Sequence, residues 1–165
     1  DLERSIEARC LSLILRQQPV AGDLRVVSSA LKVVTDLERI GDHASDIAEL
    51  ILRIRGEHIY HVVRHIPGMA MAAREMVRSA IDAFISQDIT AAKTIEKQDD
   101  IVDELFTKVK NDVIDLLKQS AEHADQCIDL LMVAKYLERI GDHAVNVCEW
   151  TEFAKTGALK NVRIL

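Results

Sequence analysis

The chain has 165 residues, with 21 basic and 27 acidic side chains and a net charge of −6. Hydrophobic residues make up 48% and charged ones 29%, which argues against disorder; 4% aromatics, two prolines and six glycines argue against a β-sandwich or barrel. An acidic chain without a Lys/Arg block excludes nucleic acid as the natural partner, and no apolar run approaches the roughly 18 residues of a membrane span.

The 3.6-residue apolar period predicts helices throughout. The first runs from near Asp1 to Arg16, and the segment from Gln17 to Gly22 breaks it; the opening stretch, Asp1 to Arg9, has the wrong character for a signal peptide. Asp23 is the expected N-cap of a second helix that reaches Arg55 and stops at Gly56. After a loop through Ile66, Pro67 sits in the first turn of a third helix ending near Ser86. Asp88 should cap a fourth helix running unbroken to Gln119, and a fifth should run from Asp125 to Lys155, stopped by Gly157. Cys10, Cys127 and Cys148 are odd in number, lack a Cys-x-x-Cys pair and lie in apolar stretches. They read as buried, reduced thiols in a cytoplasmic protein.

Residues 37–44 and 137–144 both read LERIGDHA, an identical octapeptide at an offset of 100. Similarity continues at Ile47/Val147 and Glu49/Glu149, and Leu2 to Leu15 resembles Leu105 to Leu117. The chain is therefore two copies of one helical unit. The second copy has three helices and the first only two. The expected architecture is all-α, two tandem three-helix bundles, with the first lacking roughly 40 residues at its N-terminal side. Residues 1–56 form the shorter unit, 57–66 the connection and 67–165 the complete one. Leu2, Ile6, Leu13, Val27, Leu31 and Val34 should then be partly exposed or covered by another chain.

Within each octapeptide the acids stand four apart, Glu38 with Asp42 and Glu138 with Asp142, on one helix face. Such pairs repel unless something positive satisfies them, and the glycines at 41 and 141 each cost about 1 kcal/mol in a helix interior. The fourth helix adds an acidic row, Asp99, Asp100, Asp103 and Glu104. If it lies against the fifth, Asp99 and Asp103 face Glu138 and Asp142 and make a site for a hard cation. Asp1 aligns with Glu104, so the first copy has no equivalent row and its site should be the weaker.

Ordinary salt bridges to Arg39 and Arg139 are the competing account of the repeated acids. His43 and His143 point away from their neighbouring Asp and read as surface groups or supports of a site. His58, His61 and His65 form a loop cluster without a partner acid, and Trp150 and Phe153 pack in the core. Enzyme signatures fail one by one. Neither Glu38 nor Glu138 has a His three residues on, Asp-His reverses the order of His-Asp phosphohydrolases, and there is no phosphate-binding glycine loop or His-Glu-x-x-His.

With its doubled LERIGD, the sequence resembles the PhoU family of phosphate-signalling regulators. RQQPVAGDLRVVSSALKVVTDLERIGDHASDIAE is similar to that family's first repeat, and DLLMVAKYLERIGDHAVNVCEW to the end of its second. The resemblance implies a non-enzymatic, cytoplasmic negative regulator of phosphate uptake, held at the inner face of the membrane only through partners. Those partners are the ATPase subunit of a phosphate ABC transporter and a sensor histidine kinase, and the protein itself is expected to form a dimer. It also implies multinuclear iron or zinc clusters on acidic-x-x-x-Asp motifs, which map onto Glu38/Asp42, Glu138/Asp142 and Asp99/Asp103. Asn146 stands where the first copy has Asp46, so a ligand beyond the motif is not shared. A metal-dependent phosphoester hydrolase and a metal-storage bundle are the alternative functions.

Overall fold

The computed structural model describes residues 1–54, 64–160 and 162–164. Six helices account for nearly all of them: α1 (Leu2–Gln17), α2 (Ala21–Arg53), α3 (Ile66–Ser86), α4 (Ile89–Glu96), α5 (Asp99–Gln119) and α6 (Ala124–Thr156). A short hairpin follows, β1 (Ala158–Leu159) with β2 (Val162–Arg163), which the sequence did not announce. The protein is all-α. Among the described residues no helix is long and apolar enough to cross a membrane.

Two helix boundaries differ from expectation. Asp23 is not the cap of α2: the helix opens earlier, with extended Val20 at the N-cap, and Asp23 lies in the first turn, where its charge meets the positive end of the helix dipole. Gly56 lies outside the described residues. The expected fourth helix is two helices. Asp88 does cap α4, its Oδ1 accepting from the backbone N–H groups of Thr90 (2.9 Å) and Ala91 (3.0 Å). At Lys97 and Gln98 the bonding then tightens to i→i−3, with Gln98 donating to Ile95 (2.8 Å) and Ile101 to Gln98 (3.0 Å). The break restarts the helix at Asp99 and puts Asp99 and Asp100 in the first turn of α5. The end of α6 is as expected: Gly157 adopts φ 77° and its N–H closes on the carbonyl of Phe153 at 2.8 Å.

The core gathers on α6, which packs against α2, α3, α4 and α5 and has buried residues along most of its length. Met69, Ala73, Met76 and Ala80 of α3 and Val102, Val109 and Val113 of α5 fill the space against it. Thus α3, the α4–α5 pair and α6 make one three-helix bundle. The first copy is the α1–α2 hairpin laid along its flank, with α2 buried only at Ser29, Val33, Val34 and His43. Of the six side chains expected to lack full cover, Leu2 and Leu13 are exposed and Ile6, Val27 and Leu31 half-buried. Val34 departs from that expectation: it is buried. Cys127 and Cys148 are buried free thiols, but Cys10, on the thinly covered α1, is only half-buried.

α2 and α6 run antiparallel. Arg25 at the start of α2 donates to the carbonyls of Ala154 and Lys155 (3.4 Å each), and Arg53 at its end pairs with Asp129 at 3.2 Å. Between these ends lies a polar knot. His143 Nδ1 donates to Asp36 Oδ1 (2.8 Å), Asn146 Nδ2 donates to the same oxygen (3.0 Å), and His43 stacks on Tyr136 with ring centroids 5.3 Å apart. Since 36 and 136, and 43 and 143, are repeat equivalents, the pairs 36·143 and 43·136 are one contact exchanged between the copies. The two units therefore meet about a pseudo-twofold axis near Ile40 and Ile140, in the manner of an isologous dimer interface.

Candidate metal centre

The break after α4 aims the N-terminal turn of α5 at the middle of α6. Asp99 lies against Gly141: a Cβ built there would stand 2.9 Å from Asp99 Oδ1 and 3.6 Å from Val102 Cγ1. The glycine is thus a cradle for a carboxylate. That oxygen is buried and has no hydrogen-bond partner. Burial, with the charges of Asp103, Asp142, Glu138 and Asp100 around it, pushes the Asp99 carboxyl up to about 6. Burial and Glu138 likewise raise Asp142, against a partial offset from Lys135. Asp103, Asp142 and Glu138 thus stand near enough to Asp99 for their charges to act on it.

A feature the motif did not flag is the cation already inside this cluster. Lys135, one turn before Glu138, places Nζ 2.6 Å from Oε1 and 2.5 Å from Oε2 of that carboxylate. Arg139, expected to screen the second pair, lies instead where its charge acts on His43. Placed in this way, no three His, Cys, Asp or Glu side chains among the described residues are arranged to hold a metal ion. The chemistry of the donor set nevertheless fits a hard divalent cation: four carboxylates from two helices, one buried oxygen unsatisfied, and a side chain omitted to admit it.

In the first copy Glu38, Gly41 and Asp42 line an open groove of about 520 Å³ with Asp1 and, from α1, Glu3 and Arg4. Nothing lies within 4 Å of a Cβ built on Gly41. Arg39 stands 3.9 Å from Glu38 and 3.6 Å from Asp42, the ordinary salt bridge weighed against metal binding. Glu38 is 40% exposed where Glu138 is 16%.

The histidines that follow each Asp are not surface groups. His43 is buried between α2 and α6, 8% exposed, and its Nδ1 has no hydrogen bond, Asp46 standing 3.7 Å away. Burial, with Arg139 and His143 nearby, lowers its pKa, which favours the neutral ring at pH 7. Position 146 is also occupied with this interface: Asn146 supplies the amide that Asp36 accepts, and an Asp there would set two carboxylates against each other. His58 and His61 lie outside the described residues. His65, read as lacking a partner acid, stands 3.6 Å from Asp112. Trp150 and Phe153 pack edge to face at 5.6 Å, as expected of core aromatics.

The family model described as the PhoU domain matches residues 1–51 and 66–151. A phosphate-specific transport system accessory protein PhoU homolog from Clostridium acetobutylicum is 40% identical over 158 residues, covering 95% of this chain and 72% of the relative. The PhoU homolog 1 of Thermotoga maritima, an accessory protein of the same name, is 33% identical over 99% of this chain and 70% of its own length. Among solved structures, PhoU from Pseudomonas aeruginosa superposes with a TM-score of 0.82 at 32% identity, covering 94% of this chain and 75% of that one. The phosphate transport system regulatory protein PhoU from Streptococcus pneumoniae gives 0.85 at 27% identity, over 95% and 73%.

Proposed function

The chain belongs to the PhoU family, and we propose that it is a non-enzymatic accessory regulator of phosphate-specific transport. The observation that carries the reading is identity of 40% over nearly the whole chain to a relative named for that role. In finer detail, the protein acts as an adaptor between the ATPase subunit of a phosphate ABC transporter and a sensor histidine kinase, keeping uptake and the starvation response low when phosphate is plentiful. It works as a dimer at the cytoplasmic face of the membrane. Its long helices offer recognition surfaces in keeping with such a role.

The acid cluster of the second copy is the cation site of this regulator. Asp99, Asp103, Glu138 and Asp142 would hold it, with iron or zinc the metals that the family resemblance implies, and Glu38 with Asp42 a weaker second position. A bound cation would neutralise the carboxylates and tie the start of α5 to the middle of α6. The chain's own part is to concentrate the donors. The break at Lys97–Gln98 aims Asp99, Gly141 makes room for it, and burial strengthens its pull on a positive charge.

A strain lacking the gene should express alkaline phosphatase in high phosphate, and the intact gene should restore repression. Continued repression in its absence sinks the regulatory reading. Elemental analysis of the purified protein tests the metal: iron or zinc at one or more per chain, lost on changing Glu38, Asp42, Glu138 and Asp142 to Ala in a folded variant, is the expected result.

A further inference from the structure

A divalent cation entering the second-copy cluster would meet a positive charge already there. The Lys135 ammonium lies at 2.6 and 2.5 Å from both oxygens of Glu138, and at 5.5 Å from the centroid of the Phe106 ring on α5. It is thus held from two helices at once, by a charge-assisted contact and a cation–π contact. The acid is the more enclosed partner, 16% exposed against 44% for the lysine, so the ammonium keeps a path to water. In the first copy the equivalent position is Thr35, whose hydroxyl merely donates to the carbonyl of Leu31 (3.2 Å).

We propose that Lys135 is a built-in counter-ion of the Asp99–Asp103–Glu138–Asp142 cluster, competing with a divalent cation for Glu138. The inference rests on the cation-site reading above. A single ammonium carries one charge and here engages one carboxylate, leaving Asp99 Oδ1 without a partner. A divalent cation supplies twice the charge and can draw on several carboxylates at once, so it can displace the lysine, but only above a concentration that the lysine sets. Lysine suits the task because its flexible stem can swing the charge to water, whereas the planar fork of arginine would hold a carboxylate in two fixed bonds. Cation entry therefore moves one positive charge from Glu138 to the protein surface, converting occupancy into a change of surface charge.

Equilibrium dialysis of the full chain against Zn²⁺ and, separately, Mn²⁺ tests this at fixed pH, with wild type, Lys135→Met, Lys135→Thr and Asp142→Asn compared and folding checked by circular dichroism. Lys135→Thr installs the first copy's residue and stands in should the methionine variant fail to fold. The expected result is affinity tighter by about tenfold in the lysine variants and weaker in Asp142→Asn. In wild type, NMR should show the Lys135 side-chain signal moving as cation is added. Binding by the lysine variants but not by wild type also supports the competition, in its strongest form. If wild type binds and Asp142→Asn does not, yet the folded lysine variants bind no tighter than wild type, the counter-ion role is overturned and the cation site stands. If neither wild type nor the folded lysine variants bind either ion, the cation-site reading falls and this inference with it.

Discussion

The same eight residues, LERIGDHA, occur in α2 and in α6 and have different surroundings. In α6 they pack against both α5 and α2: Gly141 is buried and cradles Asp99, and Glu138, 16% exposed, is gripped by Lys135, while Asp142 stays exposed. In α2 only the face toward α6 is covered; Gly41 meets nothing within 4 Å, and Arg39 lies loosely over two exposed acids. The octapeptide thus fixes which groups are offered, while neighbouring helices decide whether they are concentrated. Carboxylates attract a cation strongly only where other acids and low solvent exposure reinforce them.

The largest effect should therefore be an asymmetry in cation binding. Changing Asp99 and Asp142 to Asn should weaken Zn²⁺ binding by about a hundredfold or more, since two of four charged donors are lost. The same change at Glu38 and Asp42, to Gln and Asn, should alter the tighter binding step by less than about threefold. Isothermal titration of the two double variants measures both. Equal losses would mean that the copies bind alike and that enclosure is not what matters.

A second contrast lies in the polar knot between the copies. Asp36→Ala leaves the His143 Nδ1 and Asn146 amide donors of a half-buried interface without their acceptor, and should cost about 2–3 kcal/mol in urea unfolding. Asp46→Asn touches only the 3.7 Å approach to His43 and should cost less than about 0.5 kcal/mol. Similar costs would show that His43 depends on Asp46 as His143 does on Asp36.

How much of this could be read from the residues follows from what each signal encodes. The repeat and the all-α class were legible because helical period and identical spacing are local properties. The break at Lys97–Gln98 was not, since neither residue forbids a helix; Ile95 before it and Val102 after it share one core. Lys135 was overlooked for a similar reason. Its meaning lies in an i,i+3 contact whose strength comes from α5 beside it, and Thr35 breaks the repeat at that place. The histidines were misjudged because a helical-wheel angle says which way a side chain points but not that another helix lies there. Asn146 looked like a lost ligand. Its role is to pair with Asp36, and the pseudo-twofold axis that brings them together is visible only in three dimensions.

The raised Asp99 carboxyl gives a smaller, pH-dependent effect. Its folded value of about 6 lies above the usual 3.8, so between these limits the folded state binds more protons than the unfolded one. Its contribution to stability is full below about pH 4 and disappears as pH rises through 6. Protein kept metal-free by a chelator should lose on the order of 1–2 kcal/mol from this group between pH 4.5 and 7. Asp99→Asn should remove that part of the slope and be the more stable protein at pH 7. Urea unfolding at both pH values decides it; an unchanged slope in the variant would mean that water or Lys135 relieves Asp99 better than its orphaned oxygen implies.

The finest test of the comparison is the pair of glycines. Each sits inside a long unbroken helix, so replacing either with Ala should gain up to about 1 kcal/mol from backbone propensity alone. At Gly41 nothing opposes that gain, and Gly41→Ala should raise stability by roughly 0.5–1 kcal/mol. At Gly141 the new methyl would meet Asp99 Oδ1 at 2.9 Å and Val102 at 3.6 Å. The carboxylate is the end of a short side chain and can turn away, but only by leaving the cluster, so the propensity gain should be cancelled or reversed. Cation affinity should fall in Gly141→Ala and stay unchanged in Gly41→Ala. If both substitutions stabilise equally and neither affects binding, Gly141 is not a cradle, and the second copy's claim to the cation site loses its steric support.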